Sequence, residues 1–343
     1  MRKKKLKIWG ISNQDTAVQF YRINQPLRFI ANQKLTTVHT MPFFGSHSDH
    51  LTSKEFIEYY ALEGKWADVL FSTCATSQEY LALLLALKDM YKLKLVIDLD
   101  DDILSTHLEP NNPAYRAYLQ QSARFAEYAQ ACLREADLVT VSTDYLKKKY
   151  ESINKNIVVV KNAIDPEFFK FKRKKNKKLT IGYAGSGSHQ LDWMMIEPIL
   201  KGLKDKYDLR IAVLGPMQTK IADEQINWVD TLKYPEELAK LGFDIGVAPI
   251  RDSMMSRAKS NLRWLEYSSY NIPTVSSDVV SFKGIRNIVR VSEPEEWYEA
   301  LEKLIVDRKY RTELGKLAHN EVRDGYTPEQ WSRKLYDNIR ELF

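Results

Sequence analysis

Cysteine is scarce in this sequence, with two in 343 residues, Cys74 and Cys132. Neither has neighbours at metal-ligand spacing, which excludes a zinc module and a disulfide-built scaffold. Both read as buried thiols in a reducing compartment. Long apolar runs are also lacking. The longest strongly apolar stretch, residues 80–87, falls far short of the roughly 20 residues a membrane span requires. The basic start, Met1-Arg2-Lys3-Lys4-Lys5, leads into Leu-Lys-Ile-Trp-Gly and not into an apolar segment. A secretory leader is therefore not expected, and the expected address is the cytoplasm, with peripheral membrane contact left open. There is no internal repeat, no zinc-finger spacing and no aromatic–basic pattern of an RNA-binding module.

What is present is the material of a soluble globular protein, 44% hydrophobic and 28% charged. A chain of 343 residues suits two domains of about 150 residues each. The net charge of +6 comes largely from residues 2–5 and from residues 170–178, Lys-Phe-Lys-Arg-Lys-Lys-Asn-Lys-Lys. Such runs are either solvated segments or contacts for an anionic membrane surface or a nucleic acid.

Apolar strands alternate with helices in both halves. In the first, strands are expected at residues 6–10, 67–72, 93–99, 136–142 and 157–160. A polar loop at 12–16 separates the first strand from a helix at 17–32, and further helices are expected at 77–90 and 114–135. Thr143 is placed as the cap of a helix over 145–150. In the second half, strands are expected at 179–184, 209–214, 226–229, 244–248 and 273–276. Helices are expected at 192–206, 236–241 and 258–270 and from 294 onward, with Thr327-Pro328 opening a terminal helix. Short apolar strands separated by helices predict two doubly wound α/β units, each a parallel sheet covered on both faces. Ligands of such sheets bind outside the carboxyl ends of the strands, so the loops after Gly10, Leu99, Ala184, Leu214 and Ala248 are where chemistry is sought.

Three segments stand out. In Ala258-Lys-Ser-Asn-Leu-Arg-Trp-Leu-Glu-Tyr, a helix would place Lys259, Arg263 and Glu266 on one face. Its first turn and a lysine suit a diphosphate, and a carboxylate two turns on suits ribose hydroxyls, although a solvated, salt-bridged face reads equally well. In Ile181-Gly-Tyr-Ala-Gly-Ser-Gly-Ser-His-Gln-Leu-Asp192, a glycine-rich turn between strand and helix lets Gly185, Ser186 and Gly187 approach a phosphate, with His189 as a donor. The alternative is a structural turn. In Val96-Ile-Asp-Leu-Asp-Asp-Asp-Ile103, four carboxylates at a strand's end invite a metal, a helix cap, or an acid–base pair.

Taken together these segments resemble the retaining family-four glycosyltransferases of the GT-B type (glycosyl transferases group one), and specifically a branch with Lys-Ser at the position of Lys259-Ser260. The likeness covers nearly the whole chain, strongest after Ala136 and loosest between Gln33 and Lys65. It implies two tandem Rossmann-like domains facing across a cleft. Residues 1–165 would form the acceptor-side domain, 166–178 a basic linker, 179–325 the nucleotide-sugar donor domain, and 326–343 a terminal helix packing back on the first domain. It also implies sugar transfer from a nucleoside diphosphate sugar (UDP or GDP) to an acceptor hydroxyl, with retention and without a metal or other cofactor.

Residue by residue, Glu266 matches the second of two glutamates spaced eight apart, while the first is replaced by Ala258. The arginine and lysine usual near the glycine-rich loop are absent. His189, Lys259, Ser260 and Arg263 are then left to hold the donor, with Gly185, Ser186 and Gly187. Asp100 or Asp101 is expected to orient the acceptor hydroxyl or take its proton. Gly10, Tyr21 and Arg22 fall on the acceptor side, where Arg22 meets an anion or makes a surface salt bridge. The acceptor is open between glycan, lipid, protein and nucleic acid. The competing readings are a nucleotide-sugar epimerase on the same scaffold and a nucleic-acid-binding protein, the latter also compatible with DNA as acceptor.

Overall fold

The computed structural model describes residues 5–12, 16–40, 53–108, 116, 120 and 123–343. The basic start at 2–4, the middle of the expected polar loop at 13–15, and most of the first third of the expected helix over 114–135 lie outside them. The chain divides into two compact units, residues 1–162 with 328–343, and residues 163–327.

Unit 1 is a six-stranded, wholly parallel sheet of β1 (Lys7–Ile11), β2 (Thr37–Thr40), β3 (Val69–Thr73), β4 (Lys94–Leu99), β5 (Leu138–Val141) and β6 (Ile157–Val159) in the order β2-β1-β3-β4-β5-β6. Helices α1 (Gln25–Asn32), α2 (Ser53–Trp66), α3 (Gln78–Tyr91), α4 (Phe125–Glu135) and α5 (Asp144–Tyr150) connect the strands. The terminal helix Pro328–Arg340 belongs to this unit. Its Leu335, Tyr336 and Ile339 join Ile8, Ile23, Leu27 and Phe71 in one core. Strands β3 to β5 are buried along their length apart from Lys94, as a sheet covered on both faces requires. Thr143 caps α5, its Oγ1 accepting the Leu146 amide at 3.2 Å.

The sequence does not disclose β2, α2 or the π-helical stretch Gln19–Asn24 that opens the expected first helix. Gly10 also needs correction. It sits within β1, paired with Thr40 and Phe71, and does not open a loop. A Cβ there would lie 2.5 Å from Leu27 Cδ1, so the glycine admits α1 against the sheet.

Arg22 departs from its expected surface or ligand-facing position as well. It is buried, and its Nε and Nη2 donate to Asp98 Oδ1 and Oδ2 at 2.9 and 2.8 Å. Nη1 donates to Val160 O and Asn162 Oδ1, and Thr140 Oγ1 donates to Asp98 Oδ2. This bidentate pair ties the π-helical stretch to β4 and to the end of β6. Tyr21 is buried beside it.

Unit 2 has a second six-stranded parallel sheet, β7 (Leu179–Ala184), β8 (Leu209–Leu214), β9 (Glu224–Ile226), β10 (Ile245–Ala248), β11 (Thr274–Ser277) and β12 (Val289–Val291), ordered β12-β11-β10-β7-β8-β9. Its helices are α6 (Gln190–Lys206), α7 (Tyr234–Leu241), α8 (Leu262–Ser269), α9 (Pro294–Val306) and α10 (Arg308–Gly325). Ile181, Tyr183, Val213, Val247 and Val275 of the sheet pack against Trp193, Ile196 and Leu200 of α6 and Trp297 and Leu301 of α9. Two strands differ from expectation: β9 lies earlier than 226–229, and β12 was not anticipated. The basic segment 170–178, expected as a linker, is pinned to this unit. Lys174 N donates to Ala239 O, Arg173 Nη1 to Phe243 O, and Asn176 Nδ2 to Leu241 O.

The order places β7 beside β10 while the chain leaves them in opposite directions. That is the topological switch point of a doubly wound sheet, where a crevice opens at the strands' carboxyl ends.

Replacing Arg22 by methionine leaves the Asp98 carboxylate buried without its counter-charge. Unit 1 should lose about 3–5 kcal/mol, measured by chemical denaturation. Adding Asp98→Asn to the Arg22→Met chain should recover part of that loss. An R22M protein as stable as wild type would show that the pair carries no weight.

Candidate donor site at the unit 2 switch point

β7 ends in Ala184, whose amide donates to the Tyr267 hydroxyl at 2.7 Å, and this fixes where the following turn begins. The turn is tightly enclosed. A Cβ on Gly185 would lie 2.4 Å from the Tyr183 hydroxyl and 2.8 Å from Arg263 Nη2. Gly215, at φ +138, packs its backbone on Gly185, and a Cβ there would meet Gly185 O at 1.8 Å. Gly187 has no such constraint, its nearest neighbour being Pro216 Cγ at 3.5 Å. Ser186 and Ser188 hydroxyls lie 2.7 Å apart and His189 closes the turn before α6.

His189 is held by Asp192 one turn into α6, with Nδ1 2.7 Å from Oδ2. The other oxygen, Oδ1, accepts the Arg251 amide at 3.0 Å and Arg251 Nε at 3.3 Å. One carboxylate thus joins the loop after β7 to the loop after β10. Burial pulls the His189 pKa down to about 4. The Asp192 hydrogen bond opposes this, and the Arg263 and Lys259 cations reinforce it. Asp192 titrates below its ordinary range. Burial works to raise it but is outweighed by His189, the Arg251 amide and Arg263. Near neutral pH the pair is a neutral imidazole donating Nδ1–H to a carboxylate, which leaves Nε2 as an acceptor. His189 becomes a donor there only on taking up a proton.

Lys259 and Arg263 do not share a helical face. The chain makes a short 3-10 turn over Ser256–Ala258 and passes Lys259 in an extended conformation (φ −56, ψ 141), and α8 begins only at Leu262. Both cations nonetheless come close enough to His189 to disfavour its charged form. Arg263 lies over the Tyr183 ring, 4.8 Å from its centroid. Among the described residues, its Nη1 and the Tyr183 hydroxyl are both buried with no hydrogen-bond partner. Ser260 follows Lys259, half-buried, just before α8. Glu266 is not an open carboxylate: it is 8% exposed and accepts the Tyr234 hydroxyl at 2.7 Å. Ala258, standing at the position of the first family glutamate, is wholly buried.

In unit 1 the acidic cluster splits by role. Asp98 is spent on Arg22. Asp102, fully buried, is held by Lys149 and the Tyr150 hydroxyl. Asp100 and Asp101 remain at the carboxyl end of β4. Ser142 Oγ donates to Asp100 O at 3.1 Å, and Asn162 Nδ2 lies 3.5 Å from Asp100 Oδ1. Burial raises the Asp100 carboxyl. Arg22 opposes the rise, while Asp101 and Asp98 add to it. Among the described residues, no group of three His, Cys, Asp or Glu side chains is arranged to hold a metal ion. Also among the described residues, no helix is long and apolar enough to cross a membrane.

No family model matches the chain, and no curated protein does. Solved structures do. Anabaena HepE in complex with UDP-glucose aligns at TM-score 0.67 and 10% identity, over 98% of this chain and 100% of its own. An alpha-glucosyltransferase (AGT) in complex with UDP aligns at 0.68 and 12%, over 98% and 100%. The fold is GT-B. An E. coli trehalose-6-phosphate protein bound with UDP-2-fluoro glucose aligns at 0.62 and 11% identity, over 98% of each chain.

Two residues of this site escape a reading of the sequence. Tyr183 alternates along β7 as an ordinary core position, and only the structure shows Arg263 stacked on it. Arg251 stands three residues beyond a strand, with no spacing that links it to Asp192.

The partly buried, neutral His189 makes unit 2 acid-sensitive. Its pKa falls from about 6.5 in the unfolded chain to about 4, so its stabilising effect is complete above pH 6.5 and is lost between pH 6.5 and 4. Unit 2 should lose about 2 kcal/mol between pH 7.5 and pH 5 from this residue. His189→Gln should flatten the dependence in urea titrations at the two pH values. An unchanged slope in that variant would assign the acid sensitivity elsewhere.

Proposed function

We propose that this chain is a glycosyltransferase that moves a sugar from a nucleoside diphosphate sugar to an acceptor hydroxyl, with retention at the anomeric carbon and without a metal ion. The observation that carries the reading is the charge at the unit 2 switch point. Lys259 and Arg263 gather near a neutral His189 whose hydrogen-bonded carboxylate, Asp192, is shared with Arg251. A pair of fixed cations beside a partly desolvated imidazole suits an anionic group. The solved structures that share the fold include complexes with UDP, UDP-glucose and UDP-2-fluoro glucose, which makes a uridine donor the first to test.

The barrier to such a transfer is departure of an anionic diphosphate while positive charge grows on the sugar ring. Lys259 and Arg263 stabilise the departing charge from positions already set in the fold, so no reorganisation is required as it develops. The turn at Gly185, Ser186 and Gly187 supplies backbone near the phosphates. His189 answers the same charge by taking a proton on Nε2, since an adjacent dianion raises a pKa that burial has lowered. The acceptor hydroxyl attacks from the face the diphosphate leaves, and a phosphate oxygen receives its proton. Asp100 and Asp101 are the carboxylates proposed to orient that hydroxyl. Glu266, steadied by Tyr234, is proposed for the ribose. An alpha-glucosyltransferase of the same fold has been solved with a 13-mer DNA, so nucleic acid stays among the acceptors alongside glycan, lipid and protein.

Lys259→Ala should cut turnover of the preferred nucleotide sugar at least about tenfold and leave the melting temperature nearly unchanged. The donor is found first by thermal shift with UDP-, GDP-, ADP- and dTDP-sugars, each with and without EDTA. A stabilising donor unaffected by EDTA supports the proposal, and wild-type transfer rates in K259A would remove that lysine from the site.

A further inference from the structure

We propose that Arg251 binds the outer phosphate of the nucleotide, supplying the bidentate contact that the glycine-rich loop lacks. The inference rests on the donor-site reading above and adds to it a residue that has no role there.

The geometry is that of a half-committed guanidinium. Asp192 Oδ1 fixes Arg251 at two points, the backbone amide at 3.0 Å and Nε at 3.3 Å. Among the described residues, neither terminal nitrogen of Arg251 has a hydrogen-bond partner. The side chain is 38% exposed, against 10% for Asp192. An arginine held by Nε presents its two remaining donors as a rigid fork, the shape that matches a pair of phosphate oxygens. Because the anchor is a buried carboxylate, little side-chain freedom is left to lose on binding.

Its place in the sheet agrees. β7 and β10 flank the switch point, and Asp192 gathers His189 from the loop after one and Arg251 from the loop after the other. The nearest acidic neighbour in sequence, Asp252, is engaged by Arg257 through Nε at 3.1 Å and Nη2 at 3.2 Å. Asp192 therefore meets Arg251 directly and Arg263 through space, with His189 on its other oxygen. A nucleoside monophosphate ends at the phosphate on the ribose, whereas a diphosphate carries a second, outer group whose paired oxygens match the guanidinium fork. The site is accordingly predicted to distinguish nucleoside diphosphates from monophosphates, and Arg251 to be the residue that makes the distinction.

The test is isothermal titration of the full chain with UDP and UMP, and with GDP and GMP, for wild type, Arg251→Gln, Arg251→Lys and Asp192→Asn. Wild type should bind one diphosphate at least about tenfold more tightly than its monophosphate. R251Q should lose most of that ratio while its monophosphate affinity stays within about twofold, and R251K should recover part of it as a point charge. D192N, which releases the anchor, should behave like a milder R251Q. If R251Q weakens mono- and diphosphate equally, or only lowers the melting temperature, Arg251 merely braces Asp192 and the inference is overturned. The inference is likewise overturned, with the donor-site reading intact, if R251Q keeps the wild-type ratio. If wild type binds none of the four nucleotides, the donor-site reading itself falls.

Discussion

The carboxylate of Asp192 is the constraint around which the unit 2 site is arranged. A buried, ionised carboxylate is costly unless its lone pairs are filled, and here both oxygens are occupied by groups from the two loops that border the switch point. The imidazole satisfies one, the Arg251 amide and Nε the other. Each partner is fixed by satisfying Asp192, so a single acidic residue in the first turn of α6 determines where a titratable group and a cation stand. The helix N-terminus favours that charge as well.

A comparable device in unit 1 serves a different end. Arg22 and Asp98 are both buried, and the guanidinium also reaches Val160 O and Asn162 Oδ1. Each nitrogen of Arg22 donates within the fold and the side chain is buried, as suits a structural pair. Arg251 differs in that its terminal nitrogens have no hydrogen-bond partner among the described residues. The contrast between two arginines, each bound to an aspartate, one sealed and one open at its far edge, separates a structural ion pair from a binding group more securely than either residue type could.

The architecture was legible because its signal is long-range and redundant. Alternation of buried strands with helices survives errors of two residues at any boundary, and both sheets are parallel as that alternation requires. What escaped was short or exposed. β2 is four residues with an exposed pattern on a sheet edge, and β12 is three residues. The site was legible at the level of segments and not of side-chain geometry. Lys259 and Arg263 were placed on one helical face from their spacing, but α8 starts after Lys259, and the two converge on His189 by tertiary packing. Arg22 read as a surface or ligand residue because nothing local announces that Asp98, in the middle of an acidic run, will be buried opposite it. Gly10 read as a strand's last residue before an acceptor-side loop because a glycine at a strand's end and a glycine under a helix look alike in sequence.

The glycine-rich turn shows how such ambiguity resolves. Gly185 and Gly187 were both read as room for a phosphate, but they are not equivalent. At Gly187 a side chain would meet only ordinary contact with Pro216, so the backbone there is open. At Gly185 the missing Cβ is the space into which the Tyr183 hydroxyl and Arg263 Nη2 project, and Gly215 is required in turn so that its strand can pack on Gly185. The turn is therefore shaped first by the protein's own arginine. An arginine stacked on a buried tyrosine, with one donor left unsatisfied, is an expensive element for a fold to keep. The cation–π contact with the Tyr183 ring offsets part of that cost, and the phosphate of the proposed donor would offset more.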